Sequence, residues 1–164
     1  LIDSDEVGTS LGDLWADRPE VILFLRHFGC LTSRERAGQV RDRYEEFVEA
    51  GVGVTAIGTG GKRYARAFIE DEGVPFPVLL DEDGAAADIV GTKTLGVGTM
   101  LKPSAYVAGL RSVARGHRQH KTGRRPTQLG ATLVIGPGNH LLYEDYEDHA
   151  GDHADIDDVL AALP

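Results

Sequence analysis

Hydrophobic and polar positions alternate between two periods along this chain, and the alternation predicts strands and helices in turn. The run Val21-Ile22-Leu23-Phe24-Leu25 is continuous and apolar, which predicts a strand over 20–26 buried on both faces. Before it, Leu11, Leu14 and Trp15 suggest a short helix, and Asp17-Arg18-Pro19 a turn. After it, Ala37, Val40, Tyr44, Phe47 and Val48 recur at steps of three or four with charges between them, predicting a helix over 31–49 that covers one face of a sheet. Gly51 and Gly53 end that helix, and 52–57 reads as a second buried strand running into Gly58-Thr59-Gly60-Gly61. A helix over 62–72 carries Tyr64, Phe68 and Ile69. A short strand over 75–80 is closed by Asp81-Glu82-Asp83-Gly84 and followed by an Ala-rich helix over 84–90.

Residues 91–103 are rich in Gly and Thr and read as irregular, 104–115 as a helix bearing Tyr106, Leu110 and Val113, and 117–126 as a polar, basic loop. The last third changes pattern. Two strand-like runs, 131–135 and 139–144, flank Gly136-Pro137-Gly138, a hairpin signal. An acidic stretch over 144–158 contains Asp155 as the N-cap of a closing helix whose Ile156, Val159, Leu160 and Leu163 face inward. Parallel βαβ units followed by an antiparallel hairpin and a last helix lay out an α/β thioredoxin-like fold, a central mixed sheet flanked by helices on both faces. No internal repeat or second domain is visible, so 1–164 reads as one domain with 1–10 loosely ordered.

Composition narrows the function classes. The 164 residues, 41% hydrophobic, can bury a core without staples. Seventeen basic against 26 acidic residues give a formal charge of −9, which disfavours nucleic acid and anionic membrane surfaces as partners. No apolar run approaches the ~20 residues that span a bilayer, and no basic segment leads into a hydrophobic one at the start. The single cysteine cannot form an intrachain disulfide, and the expectation is a reduced, cytoplasmic protein.

That cysteine, Cys30, carries the candidate chemistry. It stands where the first strand runs through Arg26-His27-Phe28-Gly29 into a helix. Unpaired backbone N–H groups and the positive end of the helix dipole at such a junction favour the thiolate, which is the nucleophile. Arg26 either turns toward Cys30, stabilising a thiolate, or points to solvent by strand alternation. Arg34, one turn into the helix, is the better placed source of charge support. His27 either relays a proton near neutral pH or bonds within the core. Thr132 and the Arg124-Arg125 pair are candidates to face the site from the other end of the fold.

Other groupings are weaker. His149 and His153 with Asp148, Asp152 and Asp155 are of metal-ligand type, but a loop before a helix collects such residues for capping, and no metal is expected. The Gly58-Thr59-Gly60-Gly61 spacing fits neither phosphate-binding signature and reads as a tight strand-to-helix turn.

The run from Val21 to Cys30 resembles the active-site strand of peroxiredoxin-like proteins of the alkyl hydroperoxide reductase and thiol-specific antioxidant (AhpC/TSA) superfamily. The closer resemblance is to the branch that includes selenoprotein U and prostamide/prostaglandin F synthase. Val74-Pro75-Phe76-Pro77-Val78-Leu79-Leu80-Asp81, the Gly-rich end of the second strand and Gly151-Asp152-His153 carry the same likeness. It implies a thiolate that attacks a peroxide or endoperoxide bond and becomes a sulfenic acid, which a second thiol reduces. In many members of the branch a Cys-x-x-Cys pair does this. Here the motif is Cys30-Leu31-Thr32-Ser33, so Ser33 can donate a hydrogen bond to a thiolate but cannot resolve it. The reductant must then be an external thiol or redoxin, with no other cofactor.

Two further departures concern the substrate pocket. Better-known peroxiredoxins place a hydroxyl residue three positions before the cysteine, where this chain has His27. The family's usual cis-proline position holds Ala131. The expected small-molecule substrate is an organic peroxide or endoperoxide, with Phe28, Leu31, Thr132 and the 94–101 stretch as lining. The alternative is a relative without redox cycling that binds a small molecule or serves a non-redox biosynthetic step. A third reading is a binding module, homodimeric through a sheet edge or helix face.

Overall fold

The computed structural model describes residues 1–3, 5, 7–96, 103–114, 116 and 125–164, with the backbone alone for 103–106, 108 and 109. A 3-10 turn at Leu11–Trp15 precedes β1 (Glu20–Leu25), α1 (Leu31–Asp42), α2 (Tyr44–Glu49), β2 (Gly53–Gly58) and α3 (Lys62–Glu72). There follow β3 (Val78–Leu80), α4 (Ala85–Val90), α5 (Pro103–Ala114), β4 (Ala131–Gly136), β5 (His140–Tyr146) and α6 (Ile156–Ala161). Five strands form one sheet in the order β3-β2-β1-β4-β5. β1, β2 and β3 are parallel, whereas β4 is antiparallel to β1 and β5 to β4. This is the thioredoxin-like α/β arrangement that the change of pattern near residue 130 predicts.

β1 is central, and its alternate residues divide the core into two layers. Val21, Leu23 and Leu25 pack with Ala37, Val40, Phe47, Phe68 and Val159 of α1, α2, α3 and α6. Ile22 and Phe24 pack with Trp15, Ala86, Ala87, Leu133 and Ile135 on the opposite face. All six residues of β1 are buried, which is why the strand reads as an unbroken apolar run. Among the described residues no helix is long and apolar enough to cross a membrane.

Several local expectations are corrected. The helix expected over 31–49 breaks at Arg43 (φ −114°, ψ 14°), whose N–H bonds back to Val40 at 3.2 Å and whose guanidinium bonds Glu46 and Asp157. The break rotates α2, so Phe47 is fully buried while Val48 is 49% exposed. Tyr64 is also exposed, and α3 covers the sheet with Ala65 and Phe68. At the opening of the chain, Ile2 exchanges backbone hydrogen bonds with Leu80, N–H to O at 3.4 and 2.7 Å, along the outer edge of β3.

The Gly58–Gly61 turn has a packing reason. A Cβ on Gly58 would stand 2.7 Å from the Phe28 ring and one on Gly60 3.1 Å from it, and Gly60 also has φ +132°. The glycines make the space into which the residue two before Cys30 is pressed.

Candidate functional site

The end of β1 and the start of α1 set the geometry around the thiol. Cys30 is the N-cap of α1, with extended backbone (φ −75°, ψ 125°). Its N–H bonds the His27 carbonyl at 2.9 Å, and its carbonyl accepts the first helical bond from Arg34 at 3.0 Å. The sulfur therefore sits at the N-terminal end of a three-turn helix, where the dipole favours negative charge. Cys30 is only 3% exposed.

Two polar groups reach the sulfur. Arg26 donates from Nη1 to Sγ at 3.3 Å, and the Thr32 hydroxyl lies 3.3 Å from Sγ. Arg26 is held in that pose by two carbonyls on the far side of the site, donating from Nε to Gln128 at 3.1 Å and from Nη2 to Pro126 at 3.0 Å. Of the two orientations open to Arg26 in the sequence, the structure has the one toward the thiol. Thr32, Gln128 and Pro126 had no motif to mark them: the first is one of several hydroxyl residues, and the other two act through backbone oxygens.

The other expected residues are distributed more widely. Ser33 is buried, and its Oγ accepts the Arg26 backbone N–H at 3.2 Å, lacing the start of α1 to the end of β1. Leu31 is partly exposed beside the cysteine. Phe28 is 1% exposed and packs on Phe68 with ring centroids 5.5 Å apart, so it belongs to the core rather than to a pocket wall. Arg34 does not support the thiol. Its Nε donates to the Phe28 carbonyl at 3.0 Å and its Nη1 to Glu72 at 2.8 Å and Asp71 at 3.0 Å, with the guanidinium over the Phe68 ring. Thr132 does face α1, but its hydroxyl accepts from Arg36 Nη2 at 3.2 Å. Arg125 is engaged with the Asp83 and Gly84 carbonyls and with Asp88, while Arg124, residues 97–102 and most of the basic loop lie outside the described residues.

Three consecutive charged residues of α1 are buried. Arg34 meets the end of α3. Glu35 accepts from Arg111 Nε at 2.9 Å and from the Ser112 hydroxyl on α5. Arg36 donates to the Ala154 carbonyl at 2.9 Å as well as to Thr132, and burial lowers its guanidinium to a pKa of about 10. His149 Nδ1 lies 3.3 Å from the Ala150 carbonyl, whereas His153 is bonded between Glu147 and the Thr32 carbonyl.

His27 is buried, and its Nδ1 has no hydrogen-bond partner among the described residues. Desolvation, with the charge of Arg26 adding to it, pushes the ring down to about 4, so at neutral pH the imidazole is uncharged. A protonated relay at neutral pH is not what this environment provides. The unfolded ring titrates near 6.5, so on acidification the unfolded chain takes up the proton first. This contribution to stability is complete above about pH 6.5 and is lost as pH falls toward about 4, amounting to about 3 kcal/mol. Urea denaturation at pH 7.5 and pH 4.5 should therefore show a smaller acid loss for His27→Gln than for wild type. Equal losses would contradict the assignment.

Comparison with known proteins adds kinship to this geometry. Residues 39–149 match the family model described as AhpC/TSA antioxidant enzyme, a range that starts after Cys30. The chain is 30% identical to the thioredoxin-like protein AAED1, chloroplastic, of Arabidopsis thaliana, over 93% of this chain and 64% of that relative's length. It is 26% identical to a prostamide/prostaglandin F synthase of Salmo salar, over 93% of this chain and 78% of the relative. Among solved structures it is similar to the peroxidoxin BcpB of Mycobacterium tuberculosis, with a TM-score of 0.72 and 23% identity over 99% of this chain and 89% of that one, a likeness of fold.

Proposed function

Because the chain belongs to the AhpC/TSA antioxidant-enzyme family, we propose that it is a peroxiredoxin-like thiol oxidoreductase in which Cys30 alone reduces an organic peroxide or endoperoxide. The observation that carries this reading is the placement of Sγ at the start of α1, within 3.3 Å of both the Arg26 guanidinium and the Thr32 hydroxyl. A cation and a hydroxyl at hydrogen-bonding distance offer donors to the sulfur and to an oxygen that gains charge.

With a hydroperoxide, the thiolate attacks the terminal oxygen. The S–O bond forms as the O–O bond breaks, and the departing alkoxide takes a proton to leave as the alcohol. Cys30 is oxidised to sulfenic acid and the peroxide is reduced. One external thiol attacks the sulfenic sulfur, releasing water and leaving a mixed disulfide. A second external thiol attacks that disulfide, frees the Cys30 thiolate and departs as the external disulfide. The external thiol is required by Ser33, which has no sulfur to give and whose Oγ is bonded to the Arg26 N–H.

A second reading, ligand binding without redox turnover, draws on the 3% exposure of Cys30. Intact-protein mass spectrometry decides between the two. Wild type and Cys30→Ser would be exposed briefly to substoichiometric cumene hydroperoxide with a sulfenic-acid trap present. A trapped adduct on wild type alone is expected. Absence of any adduct on folded wild type would favour the second reading.

A further inference from the structure

We propose that His153 is a positioning residue for the Cys30 thiol, clamped between Glu147 and the Thr32 carbonyl so that it fixes the first turn of α1 against the start of β4. The inference rests on the reading of Cys30 as a nucleophile. Its basis is a chain of bonds that begins and ends one step from the sulfur's two partners. His153 Nε2 lies 2.8 Å from the carbonyl of Thr32, whose hydroxyl touches Sγ. His153 Nδ1 lies 2.6 Å from Glu147 Oε1, and Glu147 Oε2 accepts the Gly130 N–H at 3.0 Å. Gly130 in turn ends the short segment whose Pro126 and Gln128 carbonyls hold Arg26 on the sulfur.

The chemistry of these groups leaves little freedom. A backbone carbonyl only accepts, so Nε2 carries a proton and donates it to Thr32. The Nδ1 contact with Glu147 at 2.6 Å is a short second hydrogen bond that closes the clamp on the other side of the ring. Both side chains are nearly closed to solvent, His153 at 5% and Glu147 at 7% exposed. Gly130 is shaped to receive the carboxylate: a Cβ there would lie 2.8 Å from Glu147 Oε1 and 2.7 Å from the Phe24 carbonyl. His153 is also one of the residues, with Gln39, Val107 and Arg111, around an open groove of about 690 Å3. Arg36, bonded to Ala154 and Thr132, repeats the same tie one turn further along α1.

The test uses the full chain as wild type, His153→Ala, His153→Gln and Glu147→Gln. The readouts are the rate of Cys30 alkylation by iodoacetamide at pH 7, the rate of sulfenic acid formation with cumene hydroperoxide, and a circular dichroism melt. His153→Ala is expected to slow both reactions about tenfold in molecules that are still folded, the equivalent of one hydrogen bond's free energy. His153→Gln, whose amide can donate to the Thr32 carbonyl, should recover both to within about threefold of wild type. Glu147→Gln can accept from Gly130 and donate to Nδ1, and should also stay within about threefold.

Wild-type rates in His153→Ala, or a loss in His153→Gln as deep as in His153→Ala, would overturn the proposal. So would a tenfold loss in Glu147→Gln, a comparison that holds if the alanine variant does not fold. Should wild type form no sulfenic acid while His153→Ala still slows alkylation, the peroxide reading falls and the positioning role stands. Sulfenic acid in wild type with no effect of His153 on either rate gives the reverse.

Discussion

Replacing Arg26 with Met is expected to slow the reaction of Cys30 with cumene hydroperoxide by about 10- to 100-fold. A hydrogen bond to a charged group is worth about 1.5–3 kcal/mol, and each 1.4 kcal/mol on a barrier is a factor of ten. Arg26 is the cation on the sulfur, at 3.3 Å, and it is fixed there by the Gln128 and Pro126 carbonyls. Arg26→Lys keeps the charge but not the planar fork that serves three acceptors at once, so it should recover only part of the loss. Stopped-flow rates for the two variants check this. A Met variant reacting at the wild-type rate would remove Arg26 from the mechanism, and a full recovery by Lys would reduce its role to charge alone.

The second large effect concerns stability rather than chemistry. Arg34→Met removes the buried contact from Arg34 Nη1 to Glu72 at 2.8 Å, and breaking one side of a buried ion pair costs about 3–5 kcal/mol. Arg34 and Glu72 are 4% and 7% exposed in their side chains, whereas Asp71, the other partner, is half open to solvent and contributes little. For a chain of this size the melting temperature should fall by on the order of 10 °C. The double variant Arg34→Met, Glu72→Met should regain most of it, because both desolvation costs then disappear together. Iodoacetamide alkylation of the folded Arg34→Met protein should proceed at the wild-type rate. A stable variant with a slow thiol would reverse the assignment and return Arg34 to the active site.

These two arginines show where the sequence was sufficient and where it was not. β1, the junction at Cys30, the hairpin and the Asp155 cap follow from periodicity and local turn chemistry, and Asp155 does accept the Asp157 N–H at 2.9 Å. Arg26 was legible as one of two orientations, since alternation along a strand leaves only two. The direction of Arg34 was not legible. It is fixed by the end of α3, a helix 28 or more positions away in the chain, and no spacing within α1 encodes that contact. The same holds for Glu35 and Arg36, whose partners come from α5 and from the stretch before α6. A hydrophobic pattern assigns charged positions to solvent by default, and α1 is covered on a face that carries almost no apolar residue. Phe28 misled for a related reason: an aromatic beside a cysteine reads equally as pocket wall or core, and only the glycines opposite it decide.

The β4–β5 hairpin contains an irregularity whose effect is felt at its far end. Val134 pairs with Tyr143 but Ile135 pairs with Leu141, so Leu142 is an extra residue on β5. From Tyr143 onward that one insertion sets the parity of the strand, and with it the placement of Glu147 beside Gly130. Pairing Leu142 regularly with Val134, at unchanged chain length, would straighten the ladder locally. If the hairpin tip then kept its own pairing, every later side chain of β5 would exchange inner for outer face. Glu147 would turn away from His153, and a change of register at a solvent-exposed hairpin would be read out at a buried sulfur.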